Sequence, residues 1–204
     1  MTTPSILTTL SDEKIQAQLP LMSRDAIDWL RFKVQELNNP SKLAQGITKE
    51  KGRFTRTNDY RKFLMGGMYF FAYNPKTRDD LPYYDKFPLV IPLKREGDGF
   101  LGLNLHYLPM RYRIQLMKKL LTLAIYDGDD IRRLRVTYDI LSSSSRYREI
   151  SPCVKRYLLT NIKSKIVKVE SNEWDTAIFL PVHQFRKAKA QTVWKESVEE
   201  IRKS

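Results

Sequence analysis

Histidine and cysteine are almost missing from this chain: His106, His183 and Cys153 are all there is in 204 residues. A lone cysteine excludes an internal disulfide and fits a reducing compartment. The two histidines lie far apart, with no second His, Cys or carboxylate at ligand spacing, so no metal and no cofactor is expected. His106, between Leu105 and Tyr107, reads as a core or strand-face residue, and His183 as a cap on the last strand. Cys153 has no histidine near it in sequence and reads as a small buried side chain rather than a nucleophile. No run approaches the ~18 apolar residues of a membrane span. The opening MTTPSILTTL lacks the charged and apolar regions of a signal peptide, so a soluble protein with no membrane partner is expected.

Phosphate-cradling loops are missing as well. Gly97, Gly99 and Gly102 spell GxGxxG, but in GDGFLG no helix opens after them, so the glycines read as turn geometry. A metal-dependent nuclease would need clustered carboxylates with a lysine. Asp79, Asp80, Asp85, Glu96 and Asp98 are the candidates, but none stands in an acidic-x-Lys strand pattern. No catalytic residue is assigned.

What the chain has in excess is positive charge, with a formal net +13 and an apolar fraction of 42% that suits a folded domain. The charge is concentrated: residues 111–168 hold 14 Lys/Arg against 5 acids, whereas residues 169–204 balance at 6 each. Such a surface suits a polyanionic partner, nucleic acid before anionic membrane, or else acidic protein subunits.

The densest β signal runs from Met68 to Pro109. Three aromatic-rich runs (Met68–Tyr73, Phe87–Leu93, Phe100–Leu108) are separated by Asn74-Pro75, Leu81-Pro82 and Gly97-Asp98-Gly99, which predicts strands joined by loops and a tight hairpin. Before it, residues 1–22 read as an arm in which Pro20 blocks a helix. Ser23 then caps a helix carrying Ile27, Leu30, Val34 and Leu37, and residues 41–62 form a basic linker. After it, Pro109 opens a helix with Ile114, Met117, Leu120 and Leu121 on one face. A second helix carries Ile131, Leu134, Tyr138 and Leu141, and a third, opened by Ser151-Pro152, carries Val154, Leu158 and Ile162. Lys165–Glu170 and Trp174–Val182 read as strands, the second able to close the sheet, and the stretch from Gln184 to Ser204 as a helix with Val193, Trp194, Val198 and Ile201 as a docking face. The expected fold is α+β: a small twisted antiparallel sheet or SH3-like half-barrel with a helical insertion and flanking helices. Residues 1–62 supply an N-terminal arm, helix and linker, and residues 63–204 one domain whose basic helical segment is 109–168.

Rows of Arg and Lys beside exposed Tyr can neutralise phosphates and stack on bases. The candidate nucleic-acid-binding set is Arg111, Arg113, Lys118, Lys119, Arg132, Arg133, Arg135, Arg146, Arg148, Lys155 and Arg156; the bland alternative is a solvated helical face. No sequence-specific motif is present. Trp194 and Phe185 are the candidate protein-interface anchors.

The strings MYFFAYNPKTRDDLPYYDKFPLVIPL, DGFLGLNLHYLPMRYR, CVKRYL and NEWDTAIFLPVHQF together resemble a family of small basic proteins of T-even-like contractile-tailed phages, the cyanophage-type members above all. The resemblance runs from about Gly67 to Trp194. Members are usually labelled DNA end protectors. The resemblance therefore implies a non-enzymatic virion protein that binds the ends of packaged double-stranded DNA, shields them from exonuclease and takes part in completing the head or neck. It implies other phage head, neck or tail proteins as partners, and location in the virion after assembly in the host cytoplasm. It carries over no catalytic residues, and its aromatics Tyr83, Tyr84, Tyr107 and Trp174 fit core or interface as readily as DNA contact. The alternative is a neck, baseplate or tail protein acting only through protein–protein contacts.

Overall fold

The structure, a computed structural model, describes residues 11–38, 66–124 and 151–203. Its first element is helix α1, Asp12–Asn38, which runs straight through Pro20. An arm ending at residue 22 was expected, and the difference has a physical cause. Ser11 begins the helix, its side chain accepting from the Lys14 N–H. Ile15 and Ala26 are fully buried, and Leu19, Met22, Trp29 and Leu30 pack on the same core. That stripe of three- and four-residue steps passes Pro20 on its exposed side. An interior proline costs about 3 kcal/mol, and burying two or three large apolar side chains, at roughly 1.5–3 kcal/mol each, offsets it.

Five strands form the main sheet: β1 (Met68–Phe70), β3 (Leu89–Glu96), β4 (Gly99–Asn104), β5 (Val154–Leu158) and β6 (Val167–Val169), in the spatial order β5-β4-β3-β1-β6. All neighbours are antiparallel, with Tyr69 opposite Val90 and Ile91 opposite Leu103. A second, two-stranded ribbon pairs β2 (Tyr84–Asp85) with β7 (Phe185–Arg186). The α+β expectation holds, in the form of an open twisted sheet rather than a barrel. The hairpin falls between β3 and β4, where Gly97 takes φ 58°. Gly99 and Gly102 do different work. A Cβ on Gly99 would strike the Tyr157 carbonyl oxygen and one on Gly102 would strike Val90, so both let β4 lie close to its neighbours.

Alternation along the strands sends side chains to two faces. Met68, Phe70, Leu89, Ile91 and Leu103 join the large core with the helices. Tyr69, Phe71, Tyr73, Val90, Phe100 and Tyr157 form an aromatic cluster on the other face. There the Tyr73 and Tyr157 rings meet edge-on at 4.9 Å and Phe100 stacks on Tyr157 at 5.4 Å.

Between β4 and β5 the chain makes a 3-10 turn at Leu105–Tyr107 and helix α2, Met110–Ala124, which starts just after Pro109 as expected. The second expected helix, over residues 129–141, lies outside the described residues, as does the linker over 41–62. The third is not a helix. Ser151-Pro152-Cys153 is a 3-10 turn, and Val154–Leu158 is a strand pairing with β4 from Gly99 to Leu103. The four-residue spacing of Val154, Leu158 and Ile162 was coincidental, and the open edge of β4 decided the matter. β6 matches the expected strand.

The run WDTAIFLPV is not a strand but a helical turn, α3 (Trp174–Ala177). A capping box between Glu170 and Glu173 opens the 3-10 turn Ser171–Glu173 that leads into it, and Trp174, Ala177, Ile178, Phe179 and Leu180 are all buried. α1 packs on α3, tied by a Lys33–Glu173 ion pair at 2.6 Å. The last helix, α4 (Ala190–Lys203), lays Val193 and Ser197 into the protein's own core, so its expected docking face is already docked. Among the described residues no helix is long and apolar enough to cross a membrane.

Candidate nucleic-acid interface

A cleft of about 660 Å³ opens between the loop over residues 74–83 and strand β5. Its floor is aromatic, because β5 and the 3-10 turn after β4 deliver Tyr157 and Tyr107 there while Tyr73 closes one end. Tyr84, half-buried on β2, stands on the loop side and makes no ring contact with another described residue. Cations come from both walls: Lys76 from the loop, Lys155 and Arg156 from β5. The carboxylates lining it are Asp85 and Asp98.

The loop is held as a strap. At one end the Asn74 N–H donates to the Asn161 carbonyl (3.1 Å), and the Asn161 side chain donates back to the Asn74 carbonyl (2.6 Å). At the other, Lys187 Nζ donates to the carbonyls of Asp79 (2.6 Å) and Leu81 (2.9 Å). Lys187 has φ 70°, the sole non-glycine described residue in the left-handed region, a strain of the kind a surrounding structure must enforce. Tyr83 is fixed by donating to Glu196 Oε2 (2.8 Å) and by packing against Tyr107 and Phe185.

The cations differ in availability. Lys76 is exposed, with no ion-pair partner among the described residues. Lys155 lies with its ammonium 4.5 Å over the Tyr107 ring, and burial pulls its pKa below the ordinary lysine value. Arg156 is half-exposed and already shared between Asp98 (3.1 Å) and Glu96 (3.7 Å).

Under the cleft sits a buried polar node centred on Asp85, which is 3% exposed. One carboxylate oxygen accepts from His106 Nδ1 (2.7 Å) and Asn104 Nδ2 (3.2 Å), and the other from the N–H groups of Phe87 (3.1 Å) and Gln184 (3.2 Å). Burial alone would raise its pKa, but His106 and these donors overcome that and hold it below the usual carboxylate range. An ionised Asp85 can only accept, so His106 carries its proton on Nδ1. Burial pushes the His106 pKa down against the pull of Asp85, and the ring is neutral. Its Nε2 and the Nδ1 of His183 have no partner among the described residues. The node welds β2, the end of β4 and the approach to β7 into one support.

Of the eleven basic residues expected to bind nucleic acid, Lys155 and Arg156 reach the cleft. Arg111 is exposed but lines another groove, with Glu13, Gln16 and Ile114. Lys118 is half-buried on α2. Arg113 is a correction: it is 1% exposed, and its guanidinium donates to the carbonyls of Leu108 (2.8 Å), Ile178 (3.4 Å) and His106 (3.4 Å), so it faces the core. The side chain of Lys119, and Arg132, Arg133, Arg135, Arg146 and Arg148, lie outside the described residues. The expected anchors Trp194 and Phe185 also turn inward. Trp194 Nε1 donates to the His106 carbonyl (2.8 Å), and Phe185 meets Tyr107 edge-on at 5.1 Å. Lys76 and Lys187 were not foreseen. The signal that could have found Lys76 is its loop, NPKTRDDLP, in which prolines bracket a charged run between two strands. Cys153 is fully buried, and burial raises its thiol to about 12. Among the described residues no three His, Cys, Asp or Glu side chains converge to hold a metal.

One family matches, described as Phage T4 terminal DNA protecting protein, over residues 36–197. Nothing matches among curated proteins, and nothing among solved structures.

Proposed function

The chain belongs to the Phage T4 terminal DNA protecting protein family, and from that premise we propose that it is a non-enzymatic phage structural protein that binds the ends of packaged genomic DNA. The observation that carries this reading is the match over most of the chain together with a cleft in which lysines flank tyrosine rings. Lysine ammonium groups neutralise phosphate and tyrosine rings accept bases, while the Asp85 node holds the floor rigid. Protection then needs no chemistry, because an occupied terminus is unavailable to an exonuclease. Such a protein works in the virion, at the completed head or its junction with the neck, after assembly in the host cytoplasm.

The test is a binding titration across a salt series, comparing open linear duplex with a dumbbell of the same sequence whose ends are closed by hairpins. The linear form should bind more tightly, and affinity should fall as salt rises. No measurable affinity for linear DNA at low salt rejects the reading. Shortening of the DNA on incubation with Mg²⁺ would instead make the protein a nuclease.

A second reading has one observation in its favour. Leu21, Phe32 and Val34 stand 63%, 56% and 42% exposed on α1, which suits a surface that meets another neck or tail subunit. Stoichiometric recovery of the protein in tail preparations free of DNA would favour it.

A further inference from the structure

We infer that the cleft holds the unpaired terminal nucleotide of a DNA strand, its base against Tyr84 and its phosphate between Lys76 and Lys155, while the duplex stays outside. This rests on the DNA-end reading above and specifies what part of the end is recognised.

Size is the first argument. A cleft of about 660 Å³ falls among pockets that enclose a small ligand, roughly 300–1,000 Å³, which is room for a nucleotide or two. A duplex is far too wide to enter, so only a strand that has left the helix can.

Chemistry is the second. Duplex recognition through phosphates asks for cations spread along a face. Here Lys76 on the strap and Lys155 on β5 line one cleft together with tyrosine rings. Tyr107 already carries the Lys155 ammonium and Tyr83 already packs on Tyr107 and Phe185. Tyr84 is the lining tyrosine with no such ring contact among the described residues, which leaves its face for a base. Arg156 is engaged by Asp98 and Glu96 and is the weaker candidate for phosphate.

Selectivity for ends follows from cost. Unstacking a base inside a duplex is expensive, and a nucleotide that is already unpaired enters without that cost. The cleft therefore distinguishes a terminus from the body of the genome without reading sequence.

The experiment uses the full chain and fluorescently labelled hairpin duplexes with one open end. The end is blunt, or carries a three-nucleotide 3′ or 5′ overhang, or an abasic overhang, and the dumbbell is the control. An overhang should tighten binding over the blunt end roughly 5- to 150-fold, the range expected for stacking one base. Tyr84→Ala should abolish the advantage of the overhang over the blunt end, as should the abasic overhang, and Tyr84→Phe should retain it. Lys76→Ala, on the exposed strap, gives a second variant should Tyr84→Ala fail to fold, and should weaken overhang binding more than blunt-end binding. Equal affinity for blunt and overhanging ends, or equal weakening of both by the variants, overturns this inference while leaving DNA-end binding standing. Equal affinity for open ends and the dumbbell overturns DNA-end binding itself.

Discussion

Replacing Arg113 by methionine separates a core role from a DNA-binding one, because composition favours the second and the structure the first. The guanidinium satisfies carbonyls on three segments: Leu108 just before α2, His106 in the 3-10 turn, and Ile178 after α3. No carboxylate lies within ion-pair distance among the described residues. Burial therefore lowers its pKa to about 10 despite the opposing pull of Asp85, and it stays charged at neutral pH. A hydrogen bond to a charged group contributes about 1.5–3 kcal/mol. The 2.8 Å bond to Leu108 counts in full, and the two at 3.4 Å together count for roughly one more. Against that, methionine fills much of the same space and removes the penalty of burying a charge, which returns roughly 1–2 kcal/mol. The expected loss is about 2–4 kcal/mol, or roughly 5–15 °C in Tm for a chain of this size. Urea and thermal melts of Arg113→Met measure it. Under native conditions, binding to linear DNA and its salt slope should match the parent. A melt shifted by less than about 0.5 kcal/mol, combined with a salt slope reduced by about 1, would show that the side chain meets phosphate and that the core assignment is wrong.

Acid should weaken the fold well before the carboxylates titrate. His106 and His183 have folded-state pKa values below the ordinary histidine value, the latter near 4, first because of burial and, for His183, then because a proton on His106 and the charge of Arg113 would repel its own. The unfolded chain binds the extra protons, so their stabilisation is present above pH ~6.5 and is lost as pH falls, at about 1.4 kcal/mol per pH unit for each ring. Asp85, also lowered, begins to add its loss as pH falls through the usual carboxylate range. A Tm unchanged between pH 7 and 5 would contradict this. Gly99→Ala should cost at least about 2 kcal/mol, since its Cβ meets the Tyr157 backbone rather than a side chain that can turn away; wild-type stability in a denaturant melt would refute the close approach. Lys187→Ala should release the strap, and faster amide exchange confined to residues 77–83 is the expected signature in hydrogen-exchange mass spectrometry. Cys153, buried with its thiol at about 12, should resist iodoacetamide in the native state and react once urea unfolds the chain.

Local chemistry made much of the centre legible. The hairpin at Gly97-Asp98 could be read because only a tight turn reconciles two apolar runs with glycine and aspartate between them. α2 could be read because Pro109 opens a periodic stripe. The strand at Val154–Leu158 could not, because nothing local separates a strand from a helix when Val154, Leu158 and Ile162 fit both; the unpaired edge of β4, far away in sequence, chose. Pro20 misled for the same reason, its cost being set by which side of α1 faces the core.

The same division runs through the candidate site. Charge and aromatic content, and hence the expectation of a polyanionic partner, belong to the sequence by itself, because they survive any folding of the chain. Which cations are free to act does not. Arg113 was drawn into the core by carbonyls from three segments, and Arg156 was claimed by Glu96 and Asp98 across the hairpin. Lys76 was brought to the same cleft as the tyrosines by a strap pinned at Asn161 and Lys187. Those outcomes depend on distances between residues remote in the chain, and only packing in three dimensions sets them.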